Sequence, residues 1–281
     1  MEKNELERLV LKNVIEIMID RGLIKPCTYE DLDNPLKEEL KCVNNIESKE
    51  LSIIDVMKSK TTARIGVGKA GPRLRTSTLL QLRADHAKAK DAVMSSVDES
   101  KLRDLGLFTV QSLCNSIDEH LTRPDRGRKL SDRTIADLKS RCIIHPQVQI
   151  YVSDGLSNSA IDANVSDMLP IMFDLFKQRG ITTGTPFFVK YGRVPTMDVI
   201  SEALDAEVTC VLIGERPGLA AADSMSAYIA YNATVGMPES RRTVISNIHG
   251  NGIQPVEAGA YAVSIIEKML REKTSGVDLV L

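Results

Sequence analysis

Val148-Gln149-Ile150-Tyr151-Val152-Ser153-Asp154-Gly155-Leu156-Ser157-Asn158 is the stretch on which the reading of this chain turns. β-Branched and aromatic residues crowd its first half, a turn of Ser, Asp and Gly follows, and a helix-patterned run then occupies 158–179. Strand, polar turn and helix start make up the first half of a βαβ unit. The pattern recurs on either side: LFTVQSL at 107–113, TPFFVKY at 185–191, VTCVLIG at 208–214 and RTVISNI at 242–248 read as strands, with helix-like stretches at 131–142, 196–205 and 255–273. Such alternation predicts an α/β fold with a Rossmann-like, doubly wound, mainly parallel sheet over 106–281 and helices on both faces, preceded by an α-helical N-terminal region.

Upstream, Leu6, Leu9, Val10, Val14, Ile17 and Met18 recur at helical spacing, so residues 1–24 predict an amphipathic helix that ends near Gly22, with Pro26 barring continuation. Residues 25–105 read as a linker and a helical N-terminal domain, acidic and weakly patterned as far as 56 and containing a helix from Thr76 to Met94. Between 57 and 90 stand nine Lys or Arg against one acid, Asp85. That basic segment holds Gly66-Val67-Gly68-Lys69-Ala70-Gly71, a GxGxxG match without the buried strand that a dinucleotide fingerprint needs before it. As a P-loop it fails as well, because Ala70 stands where Ser or Thr must hold magnesium. Its plainer reading is a tight basic loop opening the Thr76 helix.

The 281 residues are 43% hydrophobic and 26% charged with a net charge of −2, an ordinary globular balance that disfavours nucleic acid as the main partner. Cysteines at 27, 42, 114, 142 and 210 form no CxxC pair, which indicates a reducing compartment. No apolar run approaches the ~20 residues a bilayer requires, and the opening MEKNELERLV is too charged for a secretory signal. The expectation is a cytoplasmic protein with no membrane partner.

In an open α/β sheet, ligands lie beyond the carboxyl ends of the strands. Four loops fall there: Ser153–Asn158, Lys190–Val194, Gly214–Leu219 and Ser246–Gly252. Gly155, Gly192, Gly214 and Gly218 would let the backbone approach a ligand closely. Asp154 and Ser157 also suit helix capping, Glu215 and Arg216 suit a structural ion pair, and His249 suits either a base or a turn residue. No second ligand stands at metal spacing from His249, and GxSxG, HExxH and DxHxxG are absent. Such a cleft orients something large, while the hard chemistry comes from a cofactor or a partner. The residues alone therefore assign no catalytic group and no metal site.

Beyond this point a family likeness carries the reading. GKAGPRLRT at 68–76, LTRPDRGRKL at 121–130, SDGLS at 153–157, GTPFFVKYGRV at 184–194, IGERPGL at 213–219, ISNIH at 245–249 and KTSGVDL at 273–279 together resemble the small (light) subunit of ethanolamine ammonia-lyase. The resemblance runs from about residue 60 to the end. It implies an adenosylcobalamin-dependent conversion of ethanolamine to acetaldehyde and ammonia, with the chemistry in a TIM-barrel large subunit. The small subunit would close over the cobalamin with its Rossmann-like domain. Carried over by position, the cofactor contacts are Val194, Glu215 and Val244, to which their neighbours Arg193 and Gly214 are added. Some relatives have Cys where this chain has Val244, so contact there is expected through the backbone. The missing DxHxxG fits a cofactor that keeps its own dimethylbenzimidazole on cobalt. The family is also similar to cargo of bacterial microcompartments, which would make the helix in 1–24 a targeting element docking on shell or other cargo. Two other functions stay open: a stand-alone Rossmann nucleotide-dependent enzyme using the Gly66–Gly71 run, and a docking protein acting through 57–90.

Overall fold

The computed structural model describes residues 51–280, so the expected helix in 1–24 and the acidic stretch up to 50 lie outside the described residues. The chain divides into two compact units, 1–81 and 82–281.

In the first unit, helix α1 (Leu51–Lys58) precedes a short antiparallel hairpin of β1 (Lys69–Ala70) and β2 (Arg73–Leu74). Gly71 turns that hairpin at φ +62°, and the amide of Arg75 donates to the Gly68 carbonyl at 3.2 Å. The glycine run thus forms a hairpin whose two strands bond each other, ahead of the helix α2 (Thr76–Met94). A dinucleotide loop would instead follow a buried sheet strand, and Lys69 and Ala70 are exposed.

The second unit continues through α3 (Glu99–Asp104), β3 (Phe108–Gln111), α4 (Ile117–Thr122), α5 (Pro124–Gly127) and α6 (Asp132–Arg141). Then come β4 (Val148–Ser153), α7 (Asn158–Gln178), β5 (Phe187–Lys190), α8 (Thr196–Leu204), β6 (Val208–Gly214), β7 (Met225–Tyr231), β8 (Thr243–Ile248) and α9 (Pro255–Glu272). The sheet order is β3-β5-β4-β6-β7-β8. β3, β5, β4 and β6 are mutually parallel, while β7 runs antiparallel to both of its neighbours. β7 is a strand that the residue pattern did not announce. Asp223, Ser224 and Asn232 bound it as turn residues, but its sequence MSAYIAY holds a single β-branched residue, so the β-branched signal that marks the other strands is weak here.

Side chains alternate between the two faces of the sheet, and each face has its own cover. Ile150, Val152, Cys210 and Leu212 pack on Val165 and Met168 of α7 and on Val263 and Ile266 of α9. Tyr151, Val189, Val211 and Ile213 pack on Leu138 of α6 and on Met197, Ile200 and Leu204 of α8. β4 and β6 are buried along their whole length, which is why both read as continuous apolar runs. α7 leaves β4 for the first face and α8 leaves β5 for the second, so the carboxyl rim opens between these two strands. Among the described residues, no helix is long and apolar enough to cross a membrane.

Candidate functional site

Two reversals of direction, at β7 and again at β8, leave β8 parallel to β6. Gly214, Met225 and Ile248 are consecutive cross-strand partners, so the loops after β4, β5, β6 and β8 end on one rim of the sheet. The rim carries two separate arrangements.

The first lies between β4 and β5. Asp154 is buried, and its carboxylate accepts the amides of Tyr191 at 2.7 Å and Gly192 at 3.1 Å. Ser157, not Asp154, caps α7, accepting from the Ala160 amide at 3.1 Å. Close packing explains the glycines here. Gly155 sits at φ +54°, where a Cβ would overlap the Gly214 carbonyl, and a Cβ on Gly192 would overlap the Ser153 hydroxyl. Beside this crossing is a cavity of about 380 Å³ bounded by Val97, Asp154, Asn158, Phe188, Lys190 and Tyr191. Arg193 is tied to the same region: its amide donates to the Gly127 carbonyl at 2.8 Å and its Nη2 to the His120 carbonyl at 2.7 Å. Its Nε is buried and has no partner among the described residues.

Burial pushes the Asp154 carboxyl up to about 7, against the opposing pull of the Tyr191 and Gly192 amides. A native pKa above the unfolded value of about 3.9 means that the unfolded chain releases this proton first. The contribution of Asp154 is then fully present below about pH 4 and is lost as pH rises to about 7, at up to ~1.4 kcal/mol per unit. Asp154→Asn is expected to flatten the profile of unfolding midpoint against pH in that window. An unaltered slope would show that this carboxyl titrates as it does in the unfolded chain.

The second arrangement spans β6, β7 and β8. Glu215 is half-buried, and its carboxylate accepts from the Ser224 hydroxyl at 2.6 Å, from the Ser226 hydroxyl and from the Asn247 amide at 3.2 Å. Asn247 stands at φ +63° where the β7–β8 register shifts, a bulge that turns its N–H toward Glu215. The Ser226 and Ser246 hydroxyls are 3.3 Å apart. Val244, 41% exposed, pairs across the strands with Tyr228, which packs on the second core, as does Val194. Arg242 fixes this edge to α8: its guanidinium bonds both Asp198 carboxylate oxygens, at 2.9 and 2.7 Å, with both side chains buried.

Of the residues singled out from sequence, Glu215 is linked through the Ser226–Ser246 pair to β8, the strand that carries Val244, and Val194 packs on the same core as Tyr228, the cross-strand partner of Val244. Gly214 and Arg193 belong to the crossing between β4 and β5. Glu215 bonds hydroxyls and an amide instead of Arg216, which is exposed. His249 is a buried turn residue whose Nε2 pairs with Asn247 Oδ1 at 2.9 Å. Among the described residues, no cluster of His, Cys, Asp and Glu is suited to a metal ion. Asp198, Arg242, Ser226 and His120 carry structural duties that no local motif marked. The His120–Gly155, Ser226–Ser246 and Asp198–Arg242 contacts span 35, 20 and 44 residues of sequence.

Comparison with known proteins places this geometry in a context. The family model described as ethanolamine ammonia-lyase light chain (EutC) matches residues 38–280. A protein of Clostridium tetani named ethanolamine ammonia-lyase small subunit is 54% identical over 94% of this chain and 87% of its own length. Proteins of the same name from Fusobacterium nucleatum and Listeria innocua are 50% and 45% identical, over 96% and 95% of this chain and 89% of each relative.

Proposed function

The chain belongs to the ethanolamine ammonia-lyase light-chain family, and from that premise we propose that it binds adenosylcobalamin where it meets the large subunit, through Val194, Glu215 and Val244 with Arg193 and Gly214 beside them. As a small subunit of a lyase it works with a large one, to which the reaction chemistry is assigned. The mainly parallel sheet, open between β4 and β5, supports the Rossmann-like reading of 106–281. The family likeness likewise supports a role for residues 1–24 in docking on a microcompartment shell or other cargo.

The observation that carries the reading is the Glu215 cluster. A corrin presents amide side arms and a phosphate around a flat apolar body. Three donors occupy three of the roughly four acceptor positions of the Glu215 carboxylate, leaving one for an amide N–H. Val244 and Tyr228 offer apolar surface on the same face, and the unpartnered Nε of Arg193 is a donor awaiting an oxygen. The bound cofactor would supply the radical chemistry through its cobalt–carbon bond. This chain's part is to hold and orient it and to exclude water from one side.

The test is a complex with a large subunit, titrated with adenosylcobalamin and followed by the cofactor's absorbance. Losing a charge-assisted acceptor costs about 1.5–3 kcal/mol, so Glu215→Ala is expected to weaken apparent affinity ~10–100-fold. Glu215→Gln, which keeps one acceptor oxygen, should fall between. Equal affinity in all three proteins would end the reading.

A further inference from the structure

We propose that His120 is a positioning residue for the cofactor site, holding Arg193 and the Tyr191–Val194 turn in the geometry that binds cobalamin. The inference rests on the cofactor reading above and adds a residue that no motif indicated.

His120 stands in α4 with 0% of its surface exposed. Its Nε2 lies 2.5 Å from the Gly155 carbonyl. A carbonyl oxygen only accepts, so the ring proton is on Nε2 and Nδ1 is left as an acceptor. Burial depresses the imidazole's pKa and keeps the ring in this neutral form. The main-chain oxygen of the same residue accepts from Arg193 Nη2 at 2.7 Å. Between these two contacts the chain closes a ring. Gly155 follows Asp154, Asp154 holds the Tyr191 and Gly192 amides, and the next residue, Arg193, returns to His120.

Two further features show that this ring constrains the turn. Tyr191 adopts φ +57°, a conformation that a bulky residue keeps only where its surroundings over-determine it. Gly127, whose carbonyl accepts the Arg193 amide, has no room for a side chain, since a Cβ would come within 2.9 Å of Arg193 Cγ. Arg193 is thereby fixed at its backbone and at Nη2, while its buried Nε–H has no acceptor among the described residues. His120 acts through this arginine and touches no ligand itself.

The experiment compares His120→Gln and His120→Asn in the complete two-subunit complex. Gln carries its amide N–H about where imidazole carries Nε2–H, whereas Asn is one methylene too short to reach Gly155. Adenosylcobalamin is titrated by absorbance, and amide exchange of residues 191–193 is followed in the cofactor-free complex. His120→Asn is expected to weaken apparent affinity ~10-fold, the loss of one buried hydrogen bond. It should speed exchange at Tyr191 and Gly192 and leave turnover at saturating cofactor within about twofold. His120→Gln should recover most of the affinity. Equal affinity in the Asn variant and the parent overturns the proposal, as does equal weakening in both variants. Should the Asn variant fail to assemble, Arg193→Lys decides: it keeps the charge but loses the grip on the His120 carbonyl, and unchanged affinity there overturns the proposal. If Glu215→Ala also leaves affinity unchanged, the cofactor reading itself fails; if Glu215→Ala weakens binding and His120→Asn does not, only this inference falls.

Discussion

Replacing Gly214 by alanine is expected to cost the fold about 3 kcal/mol, the upper end of what overpacking usually costs, and to lower the midpoint of thermal unfolding by ~6–12 °C. Gly214 closes β6, and the turn after β4 is folded against it. A Cβ there would overlap the Ser157 carbonyl oxygen and stand 2.5 Å from that of Asp154. Both obstacles are backbone, so no rotamer change can relieve the contact. Moving the turn instead would disturb the Ser157 cap of α7 and the hold of Asp154 on the next loop. Gly218 supplies the control, four residues on. A Cβ there meets nothing closer than 3.5 Å, and Gly218→Ala should unfold within about 2 °C of the parent, as surface changes usually do. The measurement is calorimetry of parent and both variants. Equal midpoints for the two alanine variants would mean that the crossing of these loops is looser than the geometry described here.

The contrast bears on how much could be read from the residues. Gly214 and Gly218 look alike in the sequence, two glycines in one loop, each offered as room for a ligand. Only the fold tells them apart, because the obstacle at Gly214 comes from a turn some 60 residues earlier. Elements specified by local chemistry were legible. β4 and β6 are dense in β-branched residues, and α6 and α7 begin at Ser131 and Ser157, whose hydroxyls cap them. That the four loops share a rim was legible too, because the rule for parallel strands leads there. β8, however, reaches that rim through two antiparallel reversals, one of them the unannounced β7. In the candidate site, Glu215 and Val244 came from motif likeness, and the serines that link Glu215 to the strand of Val244 lie on two strands and become neighbours only by register. Arg193 was singled out as a neighbour of Val194, yet its partners are His120 and Gly127, on helices with no sequence signal linking them to it.

Arg242→Ala should be the most damaging change at the start of β8, at about 3–5 kcal/mol, because it strands a buried carboxylate. Asp198 and Arg242 are 5% and 1% exposed at their side chains, and the guanidinium bonds both carboxylate oxygens. Glu239 supplies a second, exposed partner at 2.5 Å, which the variant also loses but which solvent compensates. In the native chain, burial raises the Asp198 carboxyl while Arg242 pulls it back. With the arginine gone, burial acts unopposed and the folded-state pKa climbs further above the unfolded one. The sign follows: the variant's deficit is smallest near pH 4, where Asp198 can take up a proton, and grows as pH rises toward neutrality. The parent shows the same trend more weakly, because Arg242 opposes the rise of the Asp198 carboxyl. Asp198→Leu combined with Arg242→Met removes both charges and refills the volume, and should recover most of the loss, since a buried ion pair is worth little against well-packed apolar groups. Urea titrations of the parent, the single variant and the double variant at pH 4.5 and 7.5 decide it. A single variant equally destabilised at both values, or a double variant no better than the single, would mean that Arg242 stabilises the β8 edge by packing and not by neutralising Asp198.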